Sequence, residues 1–561
     1  MKIKKKVSRI WLDPLTEEKV KEELKNRKAI ENTKNLYEEG KTRAYLDWLY
    51  GINLTEYNTL KVGKLMNTGR VIIPLVRWIY DRDETINNFI PEKYYPIEVI
   101  IDKDGKEIKL SFNELKFKEK REAEYIADLI KDEVVKVIDI ESKEQIKNPK
   151  KLFSLSTLQS YMFQKFKITI SNTLSIVQSL YEKGFLTYPR TDTEYLSEDE
   201  KNKVKEILKY QDNDDLEFKD SKSIFDSSKV ESHTAIIITT KTPKLDTLTD
   251  LEKKVYLTVR NRFYSNFCKE KCILEKTIAS LEIDKYKTKL IGTVVKEKGY
   301  LKYENDIGEN EIPKFVMNEE LTPKLKVTEK QTEPPSHLSE SDLIKLCKNP
   351  FKDLLKEDDD EEKDDNEEYK KILEGSQIGT EATRALMIEK IKNVGYVKVE
   401  KNKLFITEYG IKFIETLEKL NENLWKEKTA EMNKNLKKIS RGELEPKEVI
   451  NEAQKEIKEI FEQNIEIEKV ASNIGREVIG KCPICGKDII ENSYYFSCSG
   501  YKEGCKFGIS KKIAGKTITK ANTKQLLQKG ETSMLSGFKS KNGRNFQAKL
   551  ILNDSKIEFK F

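Results

Sequence analysis

Two groups of residues in this 561-residue chain have types and spacings that could do chemistry. The first is the run Gly184-Phe-Leu-Thr-Tyr188-Pro189-Arg190-Thr191-Asp192. Pro189 biases Tyr188 toward an extended backbone, and in an extended segment residues two apart share a face. Tyr188, Arg190 and Asp192 can then project together. A phenol beside a guanidinium can attack a phosphodiester, because the cation holds the phosphate and stabilises charge that develops in the transition state. A tyrosyl phosphodiester keeps the energy of the broken link, so resealing needs no ATP. Tyr188 is one of 24 tyrosines, and a Tyr-Pro-Arg turn is a common surface feature, so this segment depends on its context.

The second group is Cys482-x2-Cys485, twelve residues, then Cys498-x6-Cys505. Thiolates suit Zn2+, and two close pairs can close a tetrahedron. Pro483 and Gly486 suit a tight first knuckle. Four protein ligands leave no open position, so such a zinc is structural rather than catalytic; the alternative is a ribbon that has lost its metal. Cys268, Cys272 and Cys347 have no partners at ligand spacing and read as ordinary thiols.

Charge adds a third hint. The chain carries 104 Lys and Arg against 97 Asp and Glu, but Lys506 to Phe561 alone holds 13 basic and 3 acidic residues, so the excess is local. A basic tail suits a polyanion, against the plainer reading of a soluble, Lys-rich surface. In that tail Lys539, Lys541 and Arg544 mark a hairpin turn between Phe538 and Phe546. Basic residues interleaved with aromatics fit single-stranded nucleic acid, where bases stack and lysines follow phosphates.

The elements that must position these groups follow from pattern. At about 150 residues per domain the length implies three to four domains. No apolar run approaches the roughly 20 residues of a membrane span; the best, Val71 to Tyr80, is broken by Pro74 and Arg77. The basic start, Met1-Lys-Ile-Lys-Lys-Lys, has no apolar core after it. Seven cysteines are too few for a disulfide framework. A cytoplasmic protein with no membrane partner is expected. Residues 1–90 read as mostly helical. Tyr94 to Leu110 reads as a hairpin around Asp104-Gly105, and Val134 to Ile140 as a further strand. Asn172 to Lys183 has helical spacing and Gly184 caps it. Phe185 to Tyr188 reads as a short strand, and Ser197 to Glu200 as a capping box. Ile273 to about Leu301 returns to strand. Glu357 to Glu368 is an acidic run, read as a solvated insertion. Residues 381–420 read as helix, hairpin around Lys401-Asn402, and helix, a unit common in nucleic-acid docking and in plain structural roles. Asn421 to Ile467 reads as one long charged helical stretch.

With its context, the segment Thr173-Leu-Ser-Ile-Val-Gln178-Ser-Leu-Tyr-Glu-Lys-Gly-Phe-Leu-Thr-Tyr188-Pro-Arg190-Thr-Asp192 resembles the active-site signature of the type IA DNA topoisomerases, most closely the topoisomerase III subgroup. Ala44 to Asn53 and Gly69-Arg70-Val71 resemble that family's early helical segment. Ser232-His233-Thr-Ala-Ile236 resembles its His-x-Ala-Ile element. Pro334 to Glu340 and Ile378-Gly-Thr380-Glu-Ala-Thr383-Arg384 resemble two later motifs. The cysteine ribbon and Ile513 to Thr519 resemble its C-terminal modules.

The resemblance implies a multidomain α+β fold with a toroidal core, a zinc ribbon and a small β-rich basic module. Residues 1–90 and 331–475 would build a helical base, 91–150 and 271–330 a β arch, and 151–270 the gate domain. Residues 476–510 would form the ribbon and 511–561 the DNA-binding tail. It implies Tyr188 as nucleophile, Arg190 as phosphate clamp and His233 as a phosphate contact. It also implies DNA contacts at Arg70, Gln178, Thr191, Asp192, Thr380, Thr383 and Arg384. The substrate would be DNA, chiefly single-stranded or negatively supercoiled, and the protein would be nucleoid-associated or encoded by a mobile element.

Departures from the family pattern accompany these matches. The family begins with a Toprim domain whose Glu and Asp-x-Asp carboxylates hold Mg2+, and this chain starts where that domain should end. Asp81-Arg-Asp83-Glu84 and Asp102-Lys-Asp104 are unconvincing substitutes. A Toprim-bearing chain in trans, or a truncated product, is expected. Ile72-Ile73, Glu56 and Ile238 replace the usual Gln-Thr, Arg and Pro. The alternative function is a non-catalytic single-stranded-DNA-binding remnant. A tyrosine nuclease or relaxase fits poorly, because such sites recruit histidine clusters and this chain has two histidines, 104 residues apart.

Overall fold

The computed structural model describes residues 7–10, 17–211, 213–230, 233–352, 377–420, 426–463, 465–469, 478–492, 494–540, 542–553 and 555–561. The acidic run Glu357 to Glu368, Ser232 and Lys541 lie outside these residues. The chain divides into two compact units, one of residues 1–34 with 81–386 and one of residues 35–80 with 387–561.

Helix α1 (Lys34–Val62) buries Leu46, Leu49, Tyr50, Leu54 and Val62 along one face, as helical periodicity requires. Helix α2 (Ile72–Asn87) carries Pro74 in its first turn, where a missing N–H costs little. Strands β1 (Lys93–Lys103) and β2 (Lys106–Leu110) pair antiparallel across Asp104-Gly105. Both turn residues have positive φ, 54° and 76°, the conformation whose twist matches a two-residue hairpin. Then come β3 (Lys116–Phe117), α3 (Lys120–Leu129) and β4 (Val135–Lys147).

The site-bearing part follows as α4 (Leu155–Phe166), α5 (Ile170–Glu182), α6 (Lys201–Tyr210) and α7 (Asp250–Phe267). Strands β5 (Cys272–Ile283) and β6 (Tyr286–Glu297) form a long hairpin. With β7 (Glu320–Leu321) they make a sheet of order β6-β5-β4-β7. Strands β8 (Pro323–Val327) and β9 (Lys330–Gln331) join β1. Ile97, Val99, Ile101, Leu110, Val135, Val137, Leu281 and Ile283 form one buried core. The two segments expected to build the arch therefore meet in a single apolar cluster. Helices α8 (Glu340–Lys348) and α9 (Glu381–Val394) follow in the chain, while α1 belongs to the unit of residues 35–80 and 387–561.

In the other unit, β10 (Val397–Glu400) and β11 (Lys403–Ile406) turn at Lys401-Asn402, again with positive φ, and α10 (Glu408–Lys419) follows with Thr407 as its N-cap. Gly410 is obligatory here: a Cβ would lie 2.2 Å from the Tyr396 carbonyl oxygen. The expected charged helical stretch is two helices, α11 (Lys426–Arg441) and α12 (Pro446–Glu462). Gly442 takes a φ of 77° and Pro446 opens the second helix, which together explain the break. The C-terminal part holds β12 (Val478–Lys481), β13 (Asp488–Glu491), β14 (Tyr495–Cys498) and β15 (Gly508–Ser510) in one sheet. Helix α13 (Lys520–Lys529) and strands β16 (Leu535–Lys539), β17 (Asn545–Asn553) and β18 (Lys556–Lys560) follow. Ile489, Phe496 and Ile509 of the ribbon pack in one cluster with Leu526, Phe538 and Leu550, so residue 510 falls inside a shared core.

Candidate active site

Helix α5 aims the Tyr188 segment. Thr169 caps its start, accepting from the Asn172 N–H, and the helix stops at Lys183 because Gly184 turns left-handed at φ 80°. The next residues run extended. They do not form the expected strand: a single bridge joins Leu186 to Ile238, because side-chain bonds interleave with the backbone ones. The Thr187 N–H donates to Ile237 O (2.9 Å), its hydroxyl donates to Ala235 O (3.2 Å), and that hydroxyl accepts from the Ile237 N–H (2.9 Å).

Burial alternates through the segment. Pro189, Thr191 and Thr193 are buried, while Tyr188 and Arg190 are half-buried and Asp192 is exposed. The expected shared face of residues 188, 190 and 192 is therefore the accessible one. Tyr188 sits between two rings. The His233 ring lies 4.1 Å away between centroids at 40°, and Tyr181 meets it edge-on at 5.5 Å. Among the described residues the Arg190 side chain has no hydrogen-bond or ion-pair partner. A half-buried, unengaged guanidinium two residues from a phenol is suited to receive an anion.

Thr191 is 1% exposed and its hydroxyl donates to His233 O at 2.9 Å, which fixes the histidine's backbone beside Tyr188. Arg384 is as deeply buried. It is 1% exposed, pairs with Glu381 (2.8 Å), and donates to Ile378 O, Gly379 O, Ser156 and Gln377. Its guanidinium is fully engaged inside the unit, because a buried arginine needs its donors satisfied. Thr380 and Thr383 join hydroxyls at 3.1 Å at the start of α9. Gln178 donates to Glu182 (2.8 Å), and its buried Oε1 has no partner among the described residues. In the other unit Arg70 is held by Asp47 at 2.6 Å, while Lys539 and Arg544 are exposed at the β16–β17 turn.

The sequence reading gave no site role to Thr187 or Tyr181, which the structure places against the His233 segment and the Tyr188 ring. Tyr181 could have been found, since it lies seven residues before Tyr188 on the helix that leads into it. The other expected acidic groups have structural partners. Asp83 is buried against His337 Nδ1 at 2.8 Å, and Asp102 accepts from the Gly105 N–H in the hairpin turn.

The four ribbon cysteines converge, with all Sγ atoms within 4.8 Å of one another and none in a disulfide. The pairs Cys482–Cys505 and Cys485–Cys498 are 3.6 and 3.3 Å apart, near the roughly 3.8 Å edge of a tetrahedral ZnS4 site. Gly486 (φ 71°) and Gly504 (φ 105°) make the knuckle turns. The Lys487 N–H lowers the Cys485 thiol to about 7. The donor set fits Zn2+. Among the described residues this is the one group of three or more His, Cys, Asp or Glu side chains that could hold a metal.

Comparison with known proteins agrees with this architecture. A family model described as DNA topoisomerase matches residues 31–451, and one described as the C-terminal repeat of topoisomerase matches residues 504–561. DNA topoisomerase 1 of Bacillus anthracis is 26% identical over 99% of this chain, which spans 65% of that relative's length. DNA topoisomerase 3 of Staphylococcus epidermidis is 27% identical over 95% of this chain and 75% of its own. The fold is shared with full-length topoisomerase I from Thermotoga maritima, at a TM-score of 0.61 and 22% identity, over 91% of this chain and 81% of that one. The chain belongs to the type IA DNA topoisomerases, a family of isomerase enzymes.

Proposed function

We propose that this chain changes DNA topology by opening and resealing one strand through Tyr188, as a member of the topoisomerase III subgroup. The carrying observation is Tyr188 held between the His233 and Tyr181 rings with the unengaged Arg190 two residues on. The Tyr188 phenol oxygen attacks the scissile phosphorus. An O–P bond to tyrosine forms, the P–O3′ bond breaks, the phenol gives up its proton and the departing 3′-oxygen takes one. The 5′-phosphate stays on Tyr188 as a diester until the 3′-hydroxyl reverses the step after a second strand has passed. Arg190 would hold the non-bridging oxygens and oppose the charge developing there. His233 fixes the phenol ring and stands beside the phosphate.

Zn2+ would bind Cys482, Cys485, Cys498 and Cys505 and stiffen the ribbon, which presents the basic tail to single-stranded or underwound DNA. Mg2+, which the family uses, would come with carboxylates of a Toprim-type module, in a longer chain or a separate one.

A second reading is a single-stranded-DNA-binding relative without cleavage. A trapping assay separates the two. The chain is mixed with end-labelled single-stranded DNA with and without Mg2+ and an added Toprim fragment, then quenched with denaturant. A covalent adduct lost in Tyr188→Phe supports cleavage. Salt-sensitive binding with no adduct under any condition supports the second reading.

A further inference from the structure

The Tyr188 site is held from behind by a side chain that touches neither Tyr188 nor His233. The few residues before α4 are bonded to both halves of the site. The Leu155 N–H donates to Thr191 O at 2.9 Å, and Phe153 O accepts from the Ile236 N–H at 2.8 Å. Thr191 is three residues from Tyr188 and Ile236 three from His233. Residues 153–155 therefore back both halves of the site, beside the direct Thr187 and Thr191 bonds that join those halves.

Helix α7 grips this linker. Arg262 donates through Nη1 to Lys151 O at 2.8 Å and lies over the Phe153 ring at 3.9 Å. Asn266, one turn on, donates to Lys150 O at 3.0 Å. Arg262 is itself aligned by Glu304, which accepts from Nε and Nη2, both at 2.6 Å. Both members of the pair are buried, at 4% and 6% exposure. A two-bond fork fixes the plane of the guanidinium, and stacking on Phe153 needs that plane; a lysine supplies neither.

We infer that Arg262, aligned by Glu304, is a positioning residue that sets the placement of His233 against Tyr188. The inference rests on the reading of Tyr188 as nucleophile only for its catalytic consequence.

The chain's two histidines make the test direct. In the full chain labelled with 13C-histidine, two imidazole signals are assigned with His233→Gln and His337→Gln. The His233 signal should carry the ring-current shift of Tyr188, which Tyr188→Leu removes. Arg262→Lys and Asn266→Ala should move it toward the Tyr188→Leu position and leave His337 in place. On single-stranded DNA the same variants should cleave roughly 10- to 100-fold more slowly, with DNA affinity changed less than about twofold. A purely structural pair would lower the melting temperature but leave the His233 signal and the cleavage rate per folded molecule unchanged, and that result overturns the inference. If Arg262→Lys does not fold, Asn266→Ala and Glu304→Gln carry the same comparison. A wild-type chain that forms no adduct counts against the nucleophile, while the imidazole signals still decide the placement.

Discussion

Two arginines in two signature segments of the same unit have opposite surroundings. Arg190 follows Tyr188 on the accessible face of an extended segment, and its guanidinium has no protein partner among the described residues. Arg384 lies in the first turns of α9, ion-paired to Glu381 and bonded to backbone and side-chain oxygens. Both were expected to touch DNA, because both sit in segments that resemble motifs of the same family. The environment, rather than motif membership, separates an unengaged charge from one spent on the fold. A buried guanidinium must satisfy its donors internally, whereas a half-exposed one can wait for phosphate.

The largest expected effect comes from the buried partner. Arg384→Met would strand Glu381 without its cation and should cost about 3–5 kcal/mol, read as a lower denaturation midpoint, while the adduct yield per folded molecule stays normal. Loss of adduct at unchanged stability would break the contrast. Arg190→Ala should do the reverse, slowing cleavage about 10²- to 10³-fold with no change in melting temperature. Thr191→Val tests the hydroxyl under the site. It removes the donor to His233 O and should cost about 1–3 kcal/mol, with a smaller loss of cleavage than Arg190→Ala.

The smallest effect concerns α5. Glu252 accepts from Lys183 Nζ (2.5 Å), Ser179 (2.9 Å) and the Thr249 N–H (3.1 Å), and chiefly the lysine holds its carboxyl down at about 2. Its folded pKa lies below the unfolded value near 4.3. The stability it contributes is therefore complete above about pH 4.3 and lost as the pH falls toward 2. Glu252→Gln should flatten that part of the melting-temperature profile. An unchanged profile would mean that this bond does not tie α5 to α7.

Much of the local structure was legible in sequence. The Asp104-Gly105 and Lys401-Asn402 turns, the Gly184 cap and the capping box at Ser197 are set by neighbouring residues, so a linear reading finds them. The cysteine pairs converge as their spacing requires. Tyr188 and Arg190 emerged from alternation plus family resemblance. What could not be read was long-range satisfaction. Nothing near Arg384 says that Ser156, 228 residues earlier, will accept from it. Nothing links Arg262 to Glu304 or to Lys151. The break between α11 and α12 was missed for a different reason: the charged helical pattern continues on both sides of Gly442 and outweighs one glycine.

The central claim is that Tyr188 is the nucleophile. Its most direct test is mass spectrometry of the adduct after nuclease and protease digestion. The account predicts a nucleotide 5′-phosphate on the peptide that contains Tyr188, absent from Tyr188→Phe. A nucleotide on any other tyrosine, or an adduct that survives Tyr188→Phe, would contradict it.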